Sequence, residues 1–123
     1  MSLVRNNPED GYFIRSYQPG ECWVDTTLLT ENFILLRHNL ITPWTPSDIN
    51  ALSADDLSVL LALKPDILLI GTGEQLVFPP PDVYSDLIHH KIGVEIMNTS
   101  AACRTFNALA SEHRHVAAAL FLK

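Results

Sequence analysis

Residues 66–73 read Asp-Ile-Leu-Leu-Ile-Gly-Thr-Gly, and residues 93–100 read Gly-Val-Glu-Ile-Met-Asn-Thr-Ser. In each, a short apolar run rich in β-branched residues stops at residues suited to a turn or a helix cap, as where a strand hands over to a helix. After Gly73 a Pro-rich loop, Phe78-Pro79-Pro80-Pro81, leads into a helix expected from about Asp82 to Lys91, with Val83, Tyr84, Leu87 and Ile88 as its apolar stripe. Gly93 is then expected as a left-handed helix stop. Asn98-Thr99-Ser100 cap a second helix through about Glu112, and His115 to Leu122, rich in Val, Ala, Leu and Phe, reads as a last strand. This alternation predicts an α/β fold with a parallel or mixed sheet and right-handed crossovers.

Upstream, residues 12–38 read as a β-meander. Tyr12 to Tyr17 alternates loosely, Pro19-Gly20 supplies a turn, and Cys22-Trp23-Val24 suits a pleated surface. Asp25-Thr26-Thr27 makes a second turn before Leu28-Leu29. Phe33 to Leu36 is continuously apolar, the pattern of a strand buried on both faces, so edge strands precede a central one. His38 to Pro46 is a connector whose Trp44 is expected to cover an end of the core. Ser47-Asp48 suits a short cap, and Ser53 with Asp56 forms a variant capping box ahead of Leu57, Leu60 and Leu61, in a helix that ends at Lys64-Pro65. No repeat or linker interrupts the order, so residues 1–123 are expected to form a single domain. Helices cover one face of its mixed central sheet, and the N-terminal meander is available to cover the other or to extend the sheet.

The chain has 123 residues, 47% hydrophobic and 18% charged, with 8 Lys and Arg against 14 Asp and Glu and a net charge of −6. That balance excludes a nucleic-acid backbone or an anionic membrane as the main partner, since both are held by clustered cations. The first residues, MSLVRNNPEDG, lack the apolar run of a secretory signal, and the longest apolar stretches fall far short of the ~20 residues that cross a bilayer. A soluble, cytoplasmic protein without membrane insertion is expected. The charge is uneven: residues 91–123 carry Lys91, Arg104, Arg114 and Lys123 against Glu95 and Glu112, whereas residues 1–90 carry four cations against twelve acids.

The candidate sites gather at strand ends. Gly71-Thr72-Gly73 lies where ligands bind in open α/β sheets, but the dinucleotide fingerprint is incomplete: Leu76 occupies the third glycine position, a Pro-rich loop replaces the helix, and Glu74 would repel phosphate. Asn98-Thr99-Ser100 places a helix N-terminus at the same sheet edge, which serves either as a plain cap or as half of a cleft for a small anion or carboxylate. Cys103, one turn into that helix beside Arg104, reads either as an activated thiol or as a small buried hydrophobe; no base accompanies it. Ser100, Arg104, Asn107, Ser111 and either Arg114 or His115 follow helical spacing, as a solvated face or a docking surface. Cys22 and Cys103 belong to no C-x-x-C pair and are expected reduced. His89-His90 and His113-x-His115 lack ligand spacing, so neither a metal nor a cofactor is expected, and no G-x-S-x-G elbow marks a nucleophile.

The order ILLIGTG at 67–73, Pro-rich loop, GVEIMNTSAACRTFNALASEHR at 93–114 and VAAAL at 116–120 resembles the Mth938-like (DUF498) family. That family includes proteins of undefined activity and a mitochondrial branch, of the complex I assembly factor 3 type, that assists assembly of respiratory complex I. The T-x-x-A-C-x-T-[FY]-N-x-L run appears as Thr99 to Leu109 with one residue fewer between Thr99 and Ala102, followed by E-x-R-x-V-A-A-A-L from Glu112. The N-terminal half agrees through Tyr17, Trp23 and Pro43-Trp44. His113 and Thr26 stand where the family has Gly. The resemblance implies a three-layer fold, with a mixed central sheet packed by helices and added N-terminal strands, and no transferable catalytic residue. Gly71, Thr72, Gly73, Thr99, Cys103, Asn107, Glu112 and Arg114 match the family pattern, which a structural account reads as turns, a cap at Thr99 and a local ion pair between Glu112 and Arg114. The expected function is a non-enzymatic assembly or adaptor protein that binds other proteins, among them subunits of a membrane complex. The alternative is a small-molecule or anion site, extending to an enzyme, in a cleft at Gly71, Thr72, Gly73, Asn98, Thr99 and Ser100. A homodimer is expected because exposed edge strands invite pairing.

Overall fold

A computed structural model describes residues 11–123; the opening segment read above for a targeting signal lies almost wholly outside them. Strands β1 (Ile14–Gln18), β2 (Glu21–Val24) and β3 (Thr27–Leu29) form the antiparallel meander. It is a sheet of its own and does not extend the larger one. β4 (Phe33–Leu36), β5 (Leu40–Ile41), β6 (Ile67–Gly71), β7 (Gly93–Met97) and β8 (Val116–Leu120) make a five-stranded mixed sheet in the order β5-β4-β8-β6-β7. β6 runs parallel to both β7 and β8, while β4 is antiparallel to β8 and β5.

The strand order dictates the layers. From β6 the chain moves to one side to make β7, then returns across β6 to make β8. Right-handed crossovers in opposite directions must lie on opposite faces of the sheet. Helix α2 (Ser85–His89) accordingly packs Leu87 against Leu68 and Ile70, whereas α3 (Thr99–Ser111) packs Ala102, Phe106 and Ala110 against the face holding Leu69, Ala118 and Leu120. The meander shares the α3 face through Ile14, Cys22, Val24 and Leu29. The other face is covered by α1 (Val59–Leu63), α2 and the short 3-10 turns Ile49–Ala51, Ala54–Leu57 and Pro81–Val83. Helices therefore cover both faces, and the meander has neither face to itself.

Small residues set the spacing. Ala117, Ala118 and Ala119 are fully buried on β8, at the middle of the sheet, where short side chains let covering elements come close. Gly71 ends β6 for the same reason: a Cβ there would stand 2.8 Å from Leu120 Cδ2, 3.0 Å from Thr99 Oγ1 and 3.1 Å from Ala102 Cβ. Trp44 covers the opposite core as expected, its ring 5.0 Å from that of Phe121 and its indole N–H donating to the Asp56 carbonyl at 3.0 Å. Asp56 accepts from the Ser53 N–H at 2.9 Å, completing the capping box.

Several local expectations are corrected. The stretch His38 to Pro46, read as a connector, holds the short strand β5, which pairs with β4. The single helix expected over 82–91 is a 3-10 turn followed by the five-residue α2, because Tyr84, at φ −121°, breaks helical continuity between them. The left-handed residue after it is Lys91, at φ 66°, not Gly93, which already opens β7 and donates its N–H to the Asp66 carbonyl. Asn107 leaves the polar stripe of α3. Its Oδ1 accepts from the Ile14 N–H at 2.9 Å and its Nδ2 donates to the Ile14 carbonyl at 2.8 Å, clamping the first meander strand to the helix. Tyr17 adds a hydroxyl bond to the Leu122 carbonyl at 2.9 Å.

Asn107→Ala removes both bonds of this clamp and should cost about 2 kcal/mol in denaturant unfolding. Native-state hydrogen exchange should show protection lost first in Ile14–Gln18; uniform loss over the whole sheet would contradict the clamp.

Candidate functional site

β6 and β7 are neighbours whose outgoing loops leave toward opposite faces, which is the topological switch position where α/β sheets open a crevice. The structure brings Gly71, Thr72 and Gly73 together with Asn98, Thr99 and Ser100 at this position. The crevice is laced by hydrogen bonds. Thr72 N–H donates to the Met97 carbonyl and Thr99 N–H to the Gly73 carbonyl, both at 2.9 Å. The Thr99 hydroxyl accepts from Gly73 N–H at 2.7 Å and donates to the Phe121 carbonyl at 2.6 Å, while Phe121 N–H donates to the Gly71 carbonyl at 2.9 Å. Thr99 is fully buried. Gly73, at φ 96°, could hold no side chain, since a Cβ would lie 2.2 Å from the Lys123 carbonyl oxygen. The Thr72 hydroxyl donates to the Gln75 carbonyl at 2.5 Å and accepts from Val77 N–H at 3.2 Å, shaping the loop that follows.

Thr99 is not the helix cap. Asn98 is, its Oδ1 accepting from Ala101 N–H at 2.9 Å, and Thr99 is the first helical residue, whose side chain reaches sideways to the neighbouring strand ends. Ser100 is exposed and accepts from Arg104 Nη1 at 2.8 Å. Outside the lacing lies an open depression of about 320 Å³ lined by Tyr17, Gln18, Pro19, Gly73, Glu74, Asn98 and Ser100. Partial burial, then the nearby Glu74 carboxylate, raises the Tyr17 hydroxyl above its ordinary range, so Tyr17 stays a proton donor to Leu122.

Cys103 has a partner that spacing does not reveal. The thiols of Cys22 and Cys103 are both buried and free, and they lie in the same core cluster, near enough for each to act on the other. The neighbouring Cys22 thiol first, and burial second, push the Cys103 thiol far up; Arg104 acts in the opposite direction and is outweighed. A thiol held protonated is a poor nucleophile. The local pair read for Glu112 and Arg114 does not form: both are exposed, and no ion pair joins them among the described residues. Between them His113 takes φ 62°, the left-handed conformation that a glycine would hold without strain. Among the described residues no three His, Cys, Asp or Glu side chains converge as a metal site. Sequence reading also missed Asn32, whose Oδ1 accepts from Leu122 N–H at 2.9 Å and whose Nδ2 donates to the Pro46 carbonyl at 3.0 Å; an isolated Asn before an apolar run has no signature of such a bridge.

Thr99→Val keeps the shape but strands the Gly73 N–H and the Phe121 carbonyl, so it should destabilise by about 2–3 kcal/mol in denaturant titration, with Thr99→Ser recovering most of the loss. Alkylation of Cys103 by iodoacetamide at neutral pH should follow global unfolding and be slow in native protein. Because the folded thiol keeps its proton while the unfolded one releases it near its ordinary 9.0, stability should fall as pH rises through that value. Rapid native alkylation would refute the burial of the pair.

The family model for proteins of unknown function DUF498/DUF598 matches residues 14–121. A Francisella tularensis protein named "13 kDa major membrane protein" is 36% identical over 69 residues, covering 56% of each chain. Drosophila melanogaster NADH dehydrogenase [ubiquinone] 1 alpha subcomplex assembly factor 3 is 40% identical over 86 residues, 65% of this chain and 43% of that one. Its Danio rerio namesake is 30% identical over 122 residues, 98% of this chain and 70% of that one. The chain thus spans about half the length of the first two of these relatives. An NMR structure of a Xanthomonas campestris protein superposes with a TM-score of 0.83 at 35% identity, over 99% of this chain and 92% of that one. A Bordetella pertussis protein described as a Mth938-like domain also gives 0.83, at 23% identity and the same coverages. One relative is named a membrane protein, and no helix among the described residues is long and apolar enough to cross a membrane. With the family model matched over nearly its whole described length and these superpositions, the chain belongs to the DUF498/DUF598 family of proteins of unknown function and carries the Mth938-like fold.

Proposed function

We propose that this chain is a non-enzymatic assembly or adaptor protein that binds other proteins, with subunits of a membrane respiratory complex as its partners, and that it works as one domain over residues 1–123 on the cytoplasmic side. The observation that carries this reading is the similarity, over 98% of the chain, to a protein named as a complex I assembly factor. The chemistry at the switch position supports it. Groups that would greet a ligand there, the Thr99 hydroxyl and the Gly73 N–H, are bonded to each other and buried. The acidic balance speaks against nucleic acid as a partner, and a homodimer paired through the open edges of the meander is compatible with the role. A second reading, a small-molecule or anion cleft at Gly71, Thr72, Gly73, Asn98, Thr99 and Ser100, draws on the depression beside Glu74 and Ser100. It is the weaker of the two because Glu74 repels anions at its rim.

Deleting the gene in its own host should lower the amount of fully assembled NADH:quinone oxidoreductase on native gels. A tagged copy should crosslink to subunits in partly assembled forms and be absent from the finished complex. Unchanged assembly together with no crosslinked subunit would refute the adaptor role.

A further inference from the structure

Five large apolar side chains are exposed among the described residues, and four of them, Val59, Leu76, Phe78 and Ile88, fall within the helical layer and its loops. The same layer turns Leu57, Leu60, Val83 and Leu87 inward to the sheet, so it is apolar on both sides. Phe78 is 69% exposed, Leu76 52% and Ile88 51%. Phe78 opens the run Phe78-Pro79-Pro80-Pro81, in which Pro79 is buried and Pro81 starts a 3-10 turn. A ring presented on a proline-stiffened loop loses little freedom when it is covered, which is the physical profile of a binding anchor.

The charge around these side chains is predominantly negative. Residues 54–91 carry Asp55, Asp56, Asp66, Glu74, Asp82 and Asp86 against Lys64 and Lys91. The turn Ala54–Leu57 packs against Pro81–Val83, which brings the first pair of acids to the neighbourhood of Asp82. Two exposed lysines, Lys64 at the end of α1 and Lys91 after α2, stand within the layer, and Arg104 and Arg114 are exposed on and just after α3, the helix that covers the opposite face of the sheet. The helical layer is therefore net acidic around its apolar anchors, while the side formed by α3 and the meander carries both signs, Arg15, Arg104 and Arg114 with Glu21 and Glu112.

We infer that the outer face of the helical layer, centred on Phe78 and Ile88 and rimmed by Asp55, Asp82 and Asp86, is a docking surface for a basic amphipathic segment of a partner protein. The inference rests on the adaptor reading and gives it a place. Apolar anchors take the partner's hydrophobic stripe, and the carboxylates take its Lys and Arg, steering encounter and excluding acidic segments. An anionic lipid surface carries the wrong charge for this face. A second copy paired face to face would set like carboxylates against each other, which disfavours a two-fold contact here.

The probe is a fluorescein-labelled Leu/Lys amphipathic helical peptide of about 15 residues, with its Leu/Glu counterpart, followed by anisotropy against the folded chain. The Leu/Lys peptide should bind saturably and the Leu/Glu peptide should not. Phe78→Ser with Ile88→Ser should weaken binding at least about tenfold, and Asp82→Asn with Asp86→Asn should weaken it and flatten its salt dependence. All four side chains are exposed, so circular dichroism should be unchanged, and Arg104→Ser should bind normally. Absent binding, equal binding of both peptides, or sensitivity to Arg104 rather than to Phe78 and Ile88 overturns the inference. So does binding to phosphatidylglycerol vesicles, or self-association in sedimentation, that the Phe78 and Ile88 pair abolishes. If crosslinked respiratory subunits survive the fourfold variant, this surface is wrong while the adaptor role stands; if the peptide results hold but gene deletion leaves assembly intact, the role fails and the surface remains.

Discussion

The hydroxyl of Thr99 joins three strand ends at once. It accepts from the Gly73 N–H after β6, begins the helix that follows β7, and donates to the Phe121 carbonyl after β8. A buried hydroxyl with both roles filled contributes only about 1 kcal/mol per bond, but leaving its partners unmade costs more than the bonds add. The close approach needed for these bonds explains the neighbours: Gly71 because a Cβ would strike Leu120 and α3, and Gly73 because its left-handed φ brings it against the Lys123 carbonyl. The same lacing closes the crevice that the strand order would otherwise open.

Around this knot the two cores divide by strand parity. Leu69, Ala118 and Leu120 face α3 and the meander, while Leu68, Ile70, Ala117 and Ala119 face the helical layer. The meander is a separate sheet, held by packing of Cys22, Val24 and Leu29 and by the grip of Asn107 on Ile14. Cys22 and Cys103 meet inside that packing, which makes the cysteine most suggestive of chemistry a part of the core instead.

A family of unknown function with a laced crevice directs attention from pockets to faces. The acids of residues 54–63 and 74–86 gather on the helical layer, where they outnumber Lys64 and Lys91, whereas the α3 and meander side carries both signs. Exposed apolar side chains concentrate on the acidic side. Steering by opposite charge and anchoring by a few stiff apolar positions are what a protein needs to hold partners selectively without transforming them.

The sequence by itself determined the strands other than β5, the α/β order, the capping box at Ser53 and Asp56, and the meeting of Gly71-Thr72-Gly73 with Asn98-Thr99-Ser100, because period, turn chemistry and crossover handedness are local or nearly local rules. It was also enough to identify the family, from motif spacing. Only the tertiary structure decided that Asn98 caps α3 while Thr99 bonds outward, that Asn107 clamps Ile14, that Cys22 partners Cys103, and that the meander and α3 share a face. Each of these depends on which distant backbone group lies within about 3 Å of a side chain, and residues far apart in sequence carry no mark of that until the sheet is assembled.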